Sequence, residues 1–319
     1  MSEPRAPRPN SPEPAALPGG AGLQAATRRG VHERLSAIGP PAATSFRPGR
    51  TLALRVEFRR QLKRRRTLWT FGLLVALPII MALAFKVGGS PSNDNGGSAL
   101  LNLATDGAGN FALFAEFAAI GFLLVVLVAM FCGDTVASEA SWSSLRYLLA
   151  LPVPRGRLLR QKLIVAICFS TVVNLFLPAW AYLVGGVFFG WAPARSPFGG
   201  TFSYPETAQR VIIVAVYASV QALIVAGLAF LLSVLTDAPL AAVGGAVFLV
   251  VVSNILDSIT ALDPYRQALP THFQYSWLDA LTPSISWGDM TRGTALAAIY
   301  TAVFLTAAWI RFSRKDITS

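Results

Sequence analysis

Six apolar stretches, each close to the length of a bilayer span, fill the chain between residues 68 and 312. A helix needs roughly 20 mainly apolar residues to cross the hydrocarbon core, so this pattern predicts an all-α membrane protein. The expected spans are 68–87, 111–131, 163–190, 211–235, 239–259 and 294–312. Only 13% of the residues are charged, against roughly 25% in soluble domains.

The net charge of +11 does not point to nucleic acid, because of where the charge lies. Of the 27 Lys and Arg residues, 14 precede the first span, five lie between Arg146 and Lys162, and three close the chain at Arg311, Arg314 and Lys315. These are flanks that alternate spans place on one side. Such a bias marks the cytoplasmic face of a membrane protein. The connections 88–110, 191–210 and 258–293 are poor in positive charge and fall on the outside. The reading is a multi-pass protein of the cytoplasmic (inner) membrane with both termini cytoplasmic.

Residues 1–50 hold nine of the 21 prolines and lack an apolar core of signal-peptide type. This composition predicts a disordered cytoplasmic tail. Residues 51–67 repeat Leu54, Phe58 and Leu62 at i, i+4, i+8 among arginines. That spacing predicts a basic amphipathic helix on the membrane surface. The six-span transmembrane body is then 68–319. The connection before the last span carries Tyr265, Phe273, Tyr275, Trp277 and Trp287. Aromatic rings of this kind suit the outer interface and predict one or two short re-entrant or interfacial helices there.

Two cysteines and two histidines give no cluster with metal-ligand spacing. Cys132 and Cys168 are expected to be free, because the cytosol is reducing. No metal site and no catalytic residue is assigned. His32 and His272 lie outside the spans, and G-x-S-x-G and H-E-x-x-H are absent. The chain is therefore not read as an enzyme in itself.

The connection between the second and third spans reads GDTVASEASWSSLRYLLALPVPRGRLLRQKL. Trp142, Leu145, Leu148 and Leu149 form an apolar stripe, Glu139 and Arg146 share a side two turns apart, and Pro152 and Pro154 stop the helix. An apolar face fixed to the bundle with polar groups offered to the cytosol describes a docking element.

This run, Glu139-x5-Leu145-Arg146-x-Leu148-Leu149-x2-Pro152-x2-Arg155 followed by Lys162, resembles the cytoplasmic signature of type-two permeases of ATP-binding cassette exporters. Their usual form is E-x-x-x-G-T-L-R-x-L-L-x-x-P-x-x-R. Here the Gly-Thr pair is Ser143-Ser144, preceded by Trp142. The ending Phe312-x-x-Lys315-Asp316 is similar to that family's F-x-x-[KR]-[DE]. The resemblance implies an exporter subunit, and the predominantly apolar spans without a charged pathway favour a hydrophobic or amphipathic substrate. It implies two ATPase subunits docking on Glu139, Trp142, Leu145, Arg146, Leu148, Leu149, Pro152 and Arg155, and a second, identical permease chain. ATP and Mg would be bound by the partner ATPase and no cofactor by this chain, which has no G-x-x-x-x-G-K-[ST]. Membrane lipid is the remaining partner; nucleic acid is not one.

Polar residues inside the spans are candidates for a substrate path: Glu116, Asn174, Gln221 and Asn254. An intramembrane carboxylate marks a functional site by default, whereas amides more often bond helix to helix. Two other classes compete. An ion-gradient-driven transporter or channel would want more charge in the spans and paired broken helices. A non-transporting scaffold would leave the docking loop without a purpose.

Overall fold

A computed structural model describes residues 54–89, 99–141 and 155–314. The tail, the docking segment 142–154 and the closing Lys315-Asp316 pair lie outside the described residues. So do Trp142, Leu145, Arg146, Leu148, Leu149 and Pro152; of Arg155 only the backbone is described.

Helices are the regular structure of the described residues, apart from one isolated bridge between Arg195 and Thr201. In order come α1 (Leu54–Leu62), α2 (Arg65–Gly88), α3 (Ala99–Leu103), α4 (Ala108–Ile120), α5 (Leu123–Ser141), α6 (Arg155–Phe189), α7 (Tyr204–Leu235), α8 (Pro239–Asp257) and α9 (Gly288–Ser313). Five of these helices are long and apolar enough to cross a membrane, and α4 with α5 makes a sixth span if the bent pair counts as one. Large apolar side chains stand on the outer surface of α2, α8 and α9, among them Ile80, Val87, Phe248, Ile255, Ile299 and Val303. Water does not tolerate so wide an apolar coat; lipid does. The chain is a helical, multi-pass membrane protein.

The helix α7 is the hub. It packs against α5, α6, α8 and α9, while α2 leans on α6. The inward face of α2 is the narrow stripe Thr67, Thr70, Leu74, Pro78 and Ala82, three or four residues apart as one helical face requires. Near its proline, Trp180 of α6 donates from Nε1 to the Val75 carbonyl at 3.0 Å. Entry to α7 is fixed by a capping box. The Ser203 side chain accepts from the Glu206 amide, and the Glu206 carboxylate accepts from the Ser203 amide at 2.7 Å. Two orphan donors of the first turn are thereby satisfied.

Several expected boundaries are corrected. The second span is not one helix over 111–131: it breaks after Ile120, and its halves bend by 58°. There is no proline at the break; Gly121 is there, and an added Cβ would lie 2.7 Å from the Tyr275 hydroxyl. The kink is thus built by a small residue and a side chain pressed against it. The surface helix predicted over 51–67 stops at Leu62, and α2 already starts at Arg65. Helices α6, α7 and α9 begin seven or eight, seven, and six residues before their apolar runs, because helical backbone continues past the hydrocarbon into polar sequence. The connection before α9 contains three short 3-10 turns, Thr260–Leu262, Tyr265–Ala268 and Ser276–Leu281, instead of α-helices. Its side chains are nonetheless inserted: Trp277, Ala280 and Leu281 are fully buried.

Candidate functional site

Charged groups gather at the end of the bundle where α1, the start of α2, the end of α5 and the start of α6 meet. Lys162 Nζ lies 2.5 Å from Glu139 Oε1 and 3.7 Å from Glu57, and it also donates to the Thr135 carbonyl at 3.4 Å. Arg60 reaches the same Glu139 oxygen at 3.3 Å. One turn away, Asp134 accepts from Arg64 at 3.0 Å and from Arg66. The side chains of Glu139 and Lys162 are only 2% and 5% exposed. Buried charges persist when paired and hydrogen-bonded, and here each has more than one partner. Phe58 of α1 stacks on Phe169 of α6 at 4.7 Å and holds the small helix on the bundle.

This changes the reading of Glu139. As a docking residue it was expected to face the cytosol. Its carboxylate faces inward and ties the last turns of α5 to α6. Glu139 and Lys162 are thus the two roots of the segment 142–154, brought together across 23 positions.

The second feature is a cavity of about 280 Å³ at the level of the α4–α5 break. Its walls come from Leu124 and Val128 of α5, Ile224 and Leu228 of α7, Leu249 of α8 and Phe304 of α9, with Pro270, Thr271 and Gln274 of the connection before α9 across one end. Asn174 and Gln221, both expected on a substrate path, line it. Asn254 does not line it, but its Oδ1 accepts from Gln274 Nε2 at 2.9 Å. Glu116 does not line it either. It is fully buried in α4, one turn before the cavity residue Ile120, and neither carboxylate oxygen has a hydrogen-bond partner among the described residues.

Sequence reasoning passed over the residues that lock the far end of the bundle. Arg210, 7% exposed on α7, donates to the carbonyls of Ala280, Thr282 and Pro283, the last two at 2.7 and 3.2 Å, and covers the Phe202 ring at 4.1 Å. Ser196 donates to the Leu281 carbonyl at 2.6 Å. Asn110 clamps the Arg195 backbone with two bonds of 2.8 Å. His272 and Asp257 meet at 2.5 Å, stapling the end of α8 to the connection that follows it. The only sequence signal for Arg210 is a basic residue in an otherwise charge-poor outer flank. On the same connection the Asp279 carboxyl is held above the usual aspartate range by burial and by the nearby Asp289 charge. Cys132 is buried against Ser170, Cys168 is exposed, and both are free. Among the described residues no group of three His, Cys, Asp or Glu is placed to hold a metal.

Comparison with known proteins places these features in a family. A family model described as "Protein of unknown function (DUF2705)" matches residues 79–318, from the middle of α2 past the end of α9. The chain belongs to the DUF2705 family. The match takes in both the charged roots Glu139 and Lys162 and the whole cavity, and leaves α1 and the tail outside. The chain is also similar to the uncharacterized protein YhcI of Bacillus subtilis (strain 168), with 26% identity over 213 residues, 64% of this chain and 67% of that protein.

Proposed function

We propose that this chain is the transmembrane subunit of an ATP-binding cassette exporter, driven by a separate ATPase that docks on the 139–155 connection. The observation that carries the reading is the Glu139–Lys162 pair. The first acidic residue of the signature and the lysine that follows it are bonded to each other, so the run between them is a closed excursion from two adjacent helix ends. A push on such an excursion is delivered to α5 and α6 together. The cavity lies beside α5 in the same bundle, and two of the polar residues expected on a substrate path line it. In this reading the substrate is hydrophobic or amphipathic, two copies of the chain work with two ATPases, and the basic end is cytoplasmic.

Purification of the tagged full-length chain from its native cell in mild detergent tests this. An ATPase with a phosphate-binding loop should co-purify in equal amount and be lost when Arg146 is reversed to Glu. A single-chain particle that retains activity in vesicles without ATP would overturn it.

A gradient-driven transporter is the second reading, and Glu116 is the specific observation in its favour. A fully buried carboxylate without a partner among the described residues is expensive in a membrane and is commonly retained for proton or cation transfer. Glu116→Gln separates the two: it abolishes ion-driven uptake under the second reading and leaves ATP-driven export intact under the first.

A further inference from the structure

The cavity beside the α4–α5 break is apolar except for a few amides and a hydroxyl, and the hydrogen bonds of two of those amides fix which way they face. Asn174 donates from Nδ2 to the Ser170 carbonyl at 2.8 Å. A carbonyl only accepts, so the NH2 group of Asn174 must lie on that side. Gln221 donates from Nε2 to the Tyr217 hydroxyl at 2.8 Å, and that hydroxyl spends its one hydrogen on the Phe273 carbonyl at 2.7 Å. The hydroxyl can therefore only accept from Gln221, which fixes the second amide as well. The carbonyl oxygens, Asn174 Oδ1 and Gln221 Oε1, have no protein donor among the described residues. They are the acceptors left over at the wall of an otherwise hydrocarbon-like space.

The arrangement around Gln221 is set tightly. Gly293 at the start of α9 leaves room for it: an added Cβ would lie 2.3 Å from the Tyr217 hydroxyl and 2.9 Å from Gln221 Nε2. Nothing charged lines the cavity. Glu116, the nearest buried acid along the chain, stays behind the wall. On one side the boundary is Leu249 of α8 and Phe304 of α9, two helices that both lean on α7 and have at most marginal contact with each other. Leu249 is also half-exposed at the bundle surface, so this side faces the lipid.

From this geometry we infer that the cavity binds an uncharged, lipid-like molecule whose polar head donates hydrogen bonds through hydroxyl groups, entering from the bilayer between α8 and α9. Its hydrocarbon part meets Val128, Ile224, Leu228, Leu249 and Phe304, and its hydroxyls meet the carbonyl oxygens of Asn174 and Gln221. The volume, about 280 Å³, falls just below the ~300–1,000 Å³ range of small-molecule sites. That suits a head and the first part of one chain, with the rest trailing into lipid. A head that only accepts hydrogen bonds leaves both carbonyls unpaired, which a buried site penalises. An anionic head has no cation to meet. The inference deepens the transport reading of the same cavity but needs no ATPase to be tested.

The test uses the full-length chain in phosphatidylcholine nanodiscs, whose lipid carries no donor hydroxyl. Three photoactivatable diazirine probes share one acyl chain: a monoacylglycerol, its dimethyl ether and the free fatty acid. The monoacylglycerol should label peptides of α5 and α7 at the cavity, and the ether and the fatty acid about tenfold less, the worth of two lost hydrogen bonds at the modest end of their range. In Gln221→Met, and independently in Asn174→Met, the preference for the monoacylglycerol over the ether should fall to about threefold, and in the double variant it should vanish, while labelling by the ether stays as it was. Ala222→Phe, which fills the cavity, should remove the labelling by all three. Equal labelling by monoacylglycerol and ether, labels outside the cavity, or a preference that survives in the double Met variant would overturn the proposal. Labelling as expected in a preparation that never yields an ATPase would keep the site and discard the exporter.

Discussion

The ammonium of Lys162 and the carboxylate of Glu139 lie 2.5 Å apart at the junction of α5 and α6, each almost wholly buried. Breaking one half of a buried pair costs about 3–5 kcal/mol when the other charge is left uncompensated, and less here because Arg60 still reaches Glu139, whereas apolar replacement of both halves can be close to neutral. Lys162→Met should therefore lower the melting temperature of the detergent-solubilised protein. Lys162→Met combined with Glu139→Leu should recover most of the loss. Thermal unfolding followed by intrinsic fluorescence decides it, and a double variant as unstable as the single would show that the pair is not the stabilising unit.

Gly121 and Tyr275 define a second test. An added Cβ at position 121 meets the Tyr275 hydroxyl at 2.7 Å. Gly121→Ala should destabilise by about 1–3 kcal/mol, the usual cost of overpacking. Tyr275→Phe, which withdraws the offending oxygen, should restore the melting temperature in the double variant.

Arg210 holds three carbonyls of the connection before α9. Its removal leaves those acceptors without their charged donor, and bonds to charged groups are worth roughly 1.5–3 kcal/mol each. Arg210→Ala should raise hydrogen exchange across residues 276–287 by more than tenfold and leave α2 unchanged. Arg210→Lys, a point donor in place of a planar fork, should restore part of the protection.

Glu116 gives a prediction of opposite sign. A buried acid with no partner weakens the fold, so Glu116→Leu should raise the melting temperature. A residue kept at the expense of stability is expected to matter for activity; under the gradient-driven reading the same variant loses ion-driven transport in vesicles, whereas under the exporter reading ATP-driven export is unchanged.

Asp279 supplies the pH dependence. Burial and the Asp289 charge raise its folded pKa above the ordinary value of 3.8. The folded state then binds the proton more tightly than the unfolded one. Its contribution to stability is fully present below that ordinary value and is lost as pH rises through the folded pKa. Asp279→Asn should flatten this acid-side dependence and stabilise the protein more at pH 7 than at pH 4, as read from melting temperatures across that range.

Most of the architecture was legible in the chain because hydropathy reports burial in lipid directly. All six apolar runs coincide with helix, five of them as single helices and the second as the α4–α5 pair. What escaped detection was local. The break at Gly121 has no proline to announce it, and a lone glycine in an apolar run is a weak signal. Helix ends extend into polar sequence where an apolar run says nothing, as at Arg155–Gln161 and Tyr204–Arg210. Asn174 and Gln221 were picked out as polar residues in spans, and they do share a cavity. That Glu139 would turn inward was not legible, because its partner Lys162 lies on the next helix and pairing between helices leaves no mark on the spacing within one.

The 35 residues of α6 make a rod about 52 Å long, against a hydrocarbon core of about 30 Å. The aromatic cluster Phe188, Phe189 and Trp191 suits the interface at one end, so the surplus of about 20 Å emerges at the Arg155 end. The apolar run of α6 starts at Leu163, so the Lys162–Glu139 clasp sits at the foot of that run with the first turns of α6 beyond it. On the exporter reading the turns of α6 before Lys162 are a short stalk, and an ATPase that grips the connection they carry meets it in water.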